Sequence, residues 1–149
     1  MRFYLAGPFI GFEHDGRAYN DWRDYVKEQL KGKHTFSDPR NNDQSCPASF
    51  TLQDIEGVLS SDGVLHYRTP RGEDTGSSLE HGIALGASRR GPAIPIILVD
   101  EHPFPFPLLS ASAKRTFTRL PDAMLYLGLL SSWDKEFEAI NAYIEQAKK

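Results

Sequence analysis

Apolar residues recur along this chain with two periods, and the switches between them outline its elements. The run RFYLAG at 2–7, dense in aromatic and branched side chains and stopped by Gly7-Pro8, predicts a first strand. From 17 to 30, Ala18, Trp22, Val26 and Leu30 stand at helical spacing and predict an amphipathic helix ended by Gly32. HTFSDP at 34–39 predicts a second strand, and the polar turn formers RNNDQSCP after it predict a loop. Over 49–60, Leu52, Ile55 and Leu59 mark one face of a helix and leave Asp54 off that stripe. DGVLHYR at 62–68 predicts a third strand, TPRGEDTG a loop, 77–88 a helix, and AIPIILVD at 93–100 a buried strand. In EHPFPFP, Pro103, Pro105 and Pro107 exclude both helix and central strand, so this segment predicts a rigid loop. The tail repeats Trp133, Phe137, Ile140 and Ile144 at helical spacing and predicts a packing helix.

Strands alternating with helices predict a single α/β domain over 1–149: a mainly parallel sheet flanked by helices on both faces, Rossmann-like or flavodoxin-like. Such sheets bind ligands beyond the carboxyl ends of their strands. That rule gathers three loops, which carry Gly7 and Phe9, Asp38, and the segment 73–78.

Composition narrows the chemistry. With 149 residues, 40% hydrophobic and 25% charged, the chain can bury one ordinary core, and a net charge of −3 argues against a nucleic-acid or anionic-membrane surface. A small-molecule ligand is expected. The single Cys46 excludes an internal disulfide framework and suits a reducing compartment, so the cytoplasm is expected. No apolar run is long enough for a membrane span, and the first residues lack a signal h-region. His14, His34, His66, His81 and His102 show no ligand-like spacing, and neither a Walker A loop nor a dinucleotide fingerprint occurs, so no metal and no cofactor are expected.

EDTGSSLEHG, at 73–82, holds the first candidate for chemistry. Ser77-x-x-Glu80 matches a capping box, in which Ser77 caps a helix and Glu80 reaches back to it. Glu80 in the first helical turn would equally sit by the positive end of the helix dipole, which keeps a carboxylate ionised and fit to attack a sugar carbon. Asp74 in the same loop adds a second carboxylate, the pairing that glycosidic chemistry needs. Asp54 reads either as a solvated residue flanking the core stripe or as a third acid, and Tyr4 as a core tyrosine with a satisfied hydroxyl.

Taken together, FYLAGPF with Tyr4-x-x-Gly7, the helix TLQDIEGVLSSDGVL with Asp54, and EDTGSSLEHGIALG with Gly76, Glu80, Gly82 and Ala84 resemble the nucleoside 2-deoxyribosyltransferases. These motifs stand in the family's order across residues 3–86. The resemblance implies that Glu80 is the nucleophile that holds deoxyribose covalently while one base leaves and another arrives, with retention at C1'. It implies that Tyr4 orients Glu80 and that Asp54 and Asp74 contact the base and handle its proton; Gly7, Phe9, Asp38, Gly76 and Ser77, on the loops that the strand-end rule gathers, are the expected substrate-binding residues. It also implies deoxynucleoside and free-base substrates and a homo-oligomer, a hexamer in the family. Where some members of that family set a neighbouring subunit's Asn and a C-terminal carboxylate on the sugar hydroxyls, the segment 110–120 offers Lys114, Arg115 and Arg119, and the chain ends IEQAKK.

Two other functions fit parts of the pattern. A hydrolase of deoxynucleoside 5'-monophosphates would hold phosphate with Ser77, Ser78, Arg68 and Arg71, though Asp74 would repel it. A non-catalytic nucleotide-sensing module would bind ligand without needing Glu80.

Overall fold

The computed structural model describes every residue except 72–74, 88–90 and 149. Its main sheet contains β1 (Arg2–Ala6), β4 (Thr35–Ser37), β5 (Gly63–Arg68), β6 (Ile96–Asp100) and β7 (Arg115–Phe117), in the order β4-β1-β5-β6-β7. Every pairing in it is parallel, with Tyr4 beside Val64 and Ser37, and Leu65 beside Ile97. Taken by rank along the chain this order is 2-1-3-4-5, the flavodoxin-like winding, whose crevice lies between β1 and β5.

Helices α1 (Trp22–Gln29), α5 (Leu120–Leu129) and α6 (Glu136–Ala147) cover one face. Their Trp22, Val26, Leu120 and Leu127 pack with Phe3, Leu5, Leu65, Ile97 and Val99 from the strands. Helices α2 (Pro47–Leu59) and α3 (Thr75–Ala87) cover the other face over a smaller cluster of Tyr4, Ala6, Val58, Val64, Ala84 and Ile96. Strand alternation explains the split, since successive side chains of β1 and β5 point to opposite faces.

Several sequence expectations are corrected. The helix expected over 17–30 starts only at Trp22, because 12–19 form a hairpin of β2 (Phe12–His14) and β3 (Arg17–Tyr19). Asp15 and Gly16 turn it with φ of 50° and 75°, the Asp-Gly signature of a tight hairpin, and Asp21 then caps α1 by accepting from the Arg23 N–H. The strand expected from 93 begins at Ile96. In EHPFPFP the loop ends earlier than expected: Pro107 opens a short helix, α4 (Pro107–Ser112), at the position where its missing N–H costs nothing. β7 and α5 went unpredicted.

Two helices are rotated relative to their apolar stripes. On α2, Leu52 and Leu59 are 61% and 51% exposed, while Asp54, Gly57 and Val58 are buried. On α6, Phe137 and Ile144 are exposed and Ala139 is buried, with Ile140 and Tyr143 packed against the core.

Candidate functional site

A cavity of about 600 Å³ opens at the β1/β5 crevice, lined by Gly7, Pro8, Phe9, Pro39, Phe50, Asp54, Thr75, Gly76, Ser77 and Glu80. Three elements deliver its chemistry. Tyr4 stands on β1 with no exposed surface, and its hydroxyl lies 2.8 Å from Asp54 Oδ1 on α2 and 2.5 Å from Glu80 Oε1 on α3. A phenol has a single proton to donate, so both contacts are full hydrogen bonds when one carboxyl carries a second proton.

Burial raises the proton affinity of Asp54, and hydrogen bonds from Tyr4 and Asn42 only partly oppose it. Glu80 accepts from Tyr4, which keeps its proton because burial and then the neighbouring Glu80 carboxyl oppose ionisation of the phenol. Asn42 Nδ2 donates to Asp54 Oδ1 at 2.8 Å and fixes the carboxyl's orientation. The group sets two carboxyls against one phenol, residue types able to serve as acid and nucleophile in a two-step displacement at a sugar carbon.

Local sequence explains the geometry. Gly57 lies one helical turn after Asp54, and a Cβ there would come within 2.8 Å of Tyr4 Cε2 and 2.9 Å of Ser37 Oγ. Only a glycine lets α2 approach β1 closely enough for Asp54 to reach the phenol. A glycine inside the apolar pattern DIEGVL was the signal for this contact.

The capping-box expectation fails. α3 begins at Thr75, so Ser77 lies inside the first turn and Glu80 is six residues into the helix, beyond the stretch where the dipole acts strongly. Ser77 and Glu80 are both buried and, three residues apart, share the helix face that lines the cavity. At Gly82 a Cβ would meet open space, so packing does not require that glycine.

The remaining expected residues divide. Gly7, Phe9 and Gly76 line the cavity with Ser77, Phe9 with 63% of its surface exposed. Asp38 does not line it. Its buried carboxylate caps the turn Pro39–Asn41 and binds the Arg40 guanidinium and Lys27 Nζ, and although burial opposes ionisation, these cations bring it down to about 2. The neighbouring Pro39 forms the wall instead. Asp74 lies outside the described residues.

Sequence reading missed a buried histidine pair. His66 and His81 face each other through their Nδ1 atoms at 2.9 Å, and His81 Nε2 lies 2.8 Å from Ser112 Oγ. Ser112 donates its proton to the Leu108 carbonyl, so it accepts from His81 Nε2–H, and His81 Nδ1 in turn accepts from His66 Nδ1–H. Both rings are thereby neutral, and burial holds His66 down to about 3 and His81 to about 4. Among the described residues no group of three or more His, Cys, Asp or Glu could hold a metal ion, and no helix is long and apolar enough to cross a membrane.

No protein-family model matches the sequence, and no curated protein matches it. Solved structures are similar to it in fold. A conserved protein from Enterococcus faecalis V583 superposes with a TM-score of 0.60 at 19% identity, over 83% of this chain and 94% of that one. A 2-deoxyribosyltransferase from Bacillus psychrosaccharolyticus gives 0.59 at 19% identity, over 83% and 90%. A 2-deoxyribosyltransferase from Leishmania mexicana gives 0.48 at 23% identity, over 66% and 65%.

Proposed function

We propose that this protein is an enzyme that transfers 2-deoxyribose between nucleobases through a covalent deoxyribosyl-Glu80 intermediate. One observation carries the reading: a single phenol, Tyr4, bridges the carboxyls of Asp54 and Glu80 on the wall of a cavity at the β1/β5 crevice. The fold shared with the Bacillus 2-deoxyribosyltransferase supports it.

In the first step a Glu80 carboxylate oxygen bonds to C1' and the glycosidic C–N bond breaks, its electron pair passing to the base nitrogen. Asp54 supplies the proton that makes the departing base neutral, and Asp74 is proposed to assist at the base. In the second step a nitrogen of the incoming base attacks C1', the ester C–O bond breaks, and its electrons return to Glu80. The incoming base gives its proton to Asp54, which closes the cycle. Two displacements on one carbon retain its configuration. Tyr4 keeps its proton throughout and aims Glu80, while Phe9, Gly7, Gly76 and Ser77 line the substrate cavity. Neither step calls on a cofactor. We further propose a cytoplasmic homo-oligomer.

The test is base exchange: 2'-deoxyinosine with free adenine, and 2'-deoxycytidine with free adenine, followed by chromatography for 2'-deoxyadenosine. New deoxyadenosine is expected, falling at least about 10³-fold in Glu80→Ala, as for loss of a covalent nucleophile. Absence of exchange, with base released from deoxynucleoside 5'-monophosphates, would replace this reading with hydrolysis. Buried Ser77 on the cavity wall favours that alternative. Arg68 speaks against it, because both Nη1 contacts, at 2.8 Å, go to the two oxygens of Asp100.

A further inference from the structure

Arg23 has no exposed surface, although α1 shows no pattern that calls for a buried cation. A guanidinium is retained in such a place only when its donors are matched. Here they are matched by the chain that leaves β1. Arg23 Nε donates to the Leu5 carbonyl at 3.2 Å, Nη1 to the Pro8 carbonyl at 3.1 Å, and Nη2 to the Gly7 carbonyl. Asp21 neutralises the charge, with both carboxylate oxygens 3.1 Å from Nη1.

Two aromatic rings lie against it as well. The guanidinium carbon lies 4.7 Å from the Trp22 ring and 4.9 Å from the Phe9 ring. Trp22 Nε1 donates to the same Pro8 carbonyl at 3.0 Å, and the chain passes the indole so closely at Gly7 that a Cβ there would sit 2.8 Å from Trp22 Cζ2. Phe9 is left as a large ring on the cavity wall, 63% exposed, with a buried cation behind it. An isolated exposed phenylalanine needs no explanation, but one held by a purpose-shaped cation at the mouth of a cavity does.

We propose that Arg23 is a positioning residue that clamps residues 5–8 and supports the Phe9 ring as a preformed platform for a planar heteroaromatic ligand. The inference rests on the reading of this cavity as a nucleobase site. Lysine cannot substitute, since a point-like ammonium on a flexible stem cannot reach three carbonyls in fixed directions while standing against two rings. The ligand gains by covering the other face of Phe9, and it pays little ordering cost because the ring is already held.

The experiment measures free-adenine affinity by calorimetry, together with exchange kinetics, for wild type, Arg23→Lys, Phe9→Leu and the double variant, each checked for folding by thermal melt. Adenine affinity is expected to fall about tenfold in Arg23→Lys and about fivefold in Phe9→Leu, with the double variant no worse than about twice the lysine variant, as for coupled neighbours. In exchange assays the loss should appear in the KM for adenine, with kcat within about threefold. If Arg23→Lys does not fold, Arg23→Gln, which keeps two donors, takes its place. Additive losses, unchanged affinity in either single variant, or a fall in kcat with KM unmoved would overturn the inference. Adenine binding without exchange would remove the proposed transferase and leave this test standing, whereas wild-type protein that binds no adenine would remove both.

Discussion

The two faces of the central sheet are built from the same strands and do different work. Toward α1, α5 and α6, β1 and β5 present Phe3, Leu5, Leu65 and Tyr67, which pack into the larger apolar cluster. Toward α2 and α3 the same strands present Tyr4, Ala6, Val64 and His66, and the helices answer with Asp54, Glu80 and His81. One face gains stability from area removed from water, at about 25 cal/mol per Å². The other buries polar groups that are favourable only while each partner is in place. Mutations on the first face should therefore act on stability alone, while changes on the second should couple stability to activity and pH.

Leu65→Ala is the largest test of the apolar face. Leu65 has no exposed surface on a strand flanked by β1 and β6, and its truncation should cost about 4 kcal/mol in urea unfolding while leaving kcat per folded molecule unchanged. An equal loss of kcat would erase the distinction between the faces.

Acid tests the polar face. His66 and His81 are held neutral in the folded protein, to about 3 and about 4, while in the unfolded chain they take up protons near the ordinary value of 6.5. The unfolded state then binds more protons below that value, so stability is full above roughly pH 6.5 and falls as pH drops toward 4. Urea titrations at pH 7 and about pH 5.3 should differ by roughly 3 kcal/mol, and His81→Asn should flatten the slope. A slope that persists in the variant would move its origin elsewhere.

Gly57→Ala is the smallest of the three and joins the two quantities. Its Cβ would press on the Tyr4 ring at 2.8 Å, so about 2 kcal/mol of stability should be lost, together with exchange activity, as Asp54 is pushed off the phenol. Destabilisation with activity intact would show that the Tyr4–Asp54 contact is not needed.

How much was legible beforehand follows the same division. β1, β5 and β6 could be read because runs such as GVLHYR and IILVD are buried on both faces and carry no helical period. Tyr4, Asp54 and Glu80 could be singled out by motif, and the structure brings these three together. Asp38 could not be read: its position beyond a strand suggested the crevice, but Lys27 and Arg40, far apart from each other in sequence, claim its carboxylate. The face of α2 was misread because an apolar stripe marks the core only where packing decides which side is buried, and on α2 the inward face carries Asp54 and Gly57; on α6 the inward face is Ala139, Ile140 and Tyr143 rather than the stripe through Phe137 and Ile144.

The sequence by itself determined the α/β alternation, the strand ends that carry the loops and the residue types able to do sugar chemistry, since these follow from period, turn residues and side-chain chemistry. Tertiary structure alone decided that a glycine brings α2 onto Tyr4, that a single phenol bridges two carboxyls, and that Arg23 lies beneath Phe9. Those depend on contacts between residues as much as 76 positions apart, and no local pattern encodes a distance of that kind.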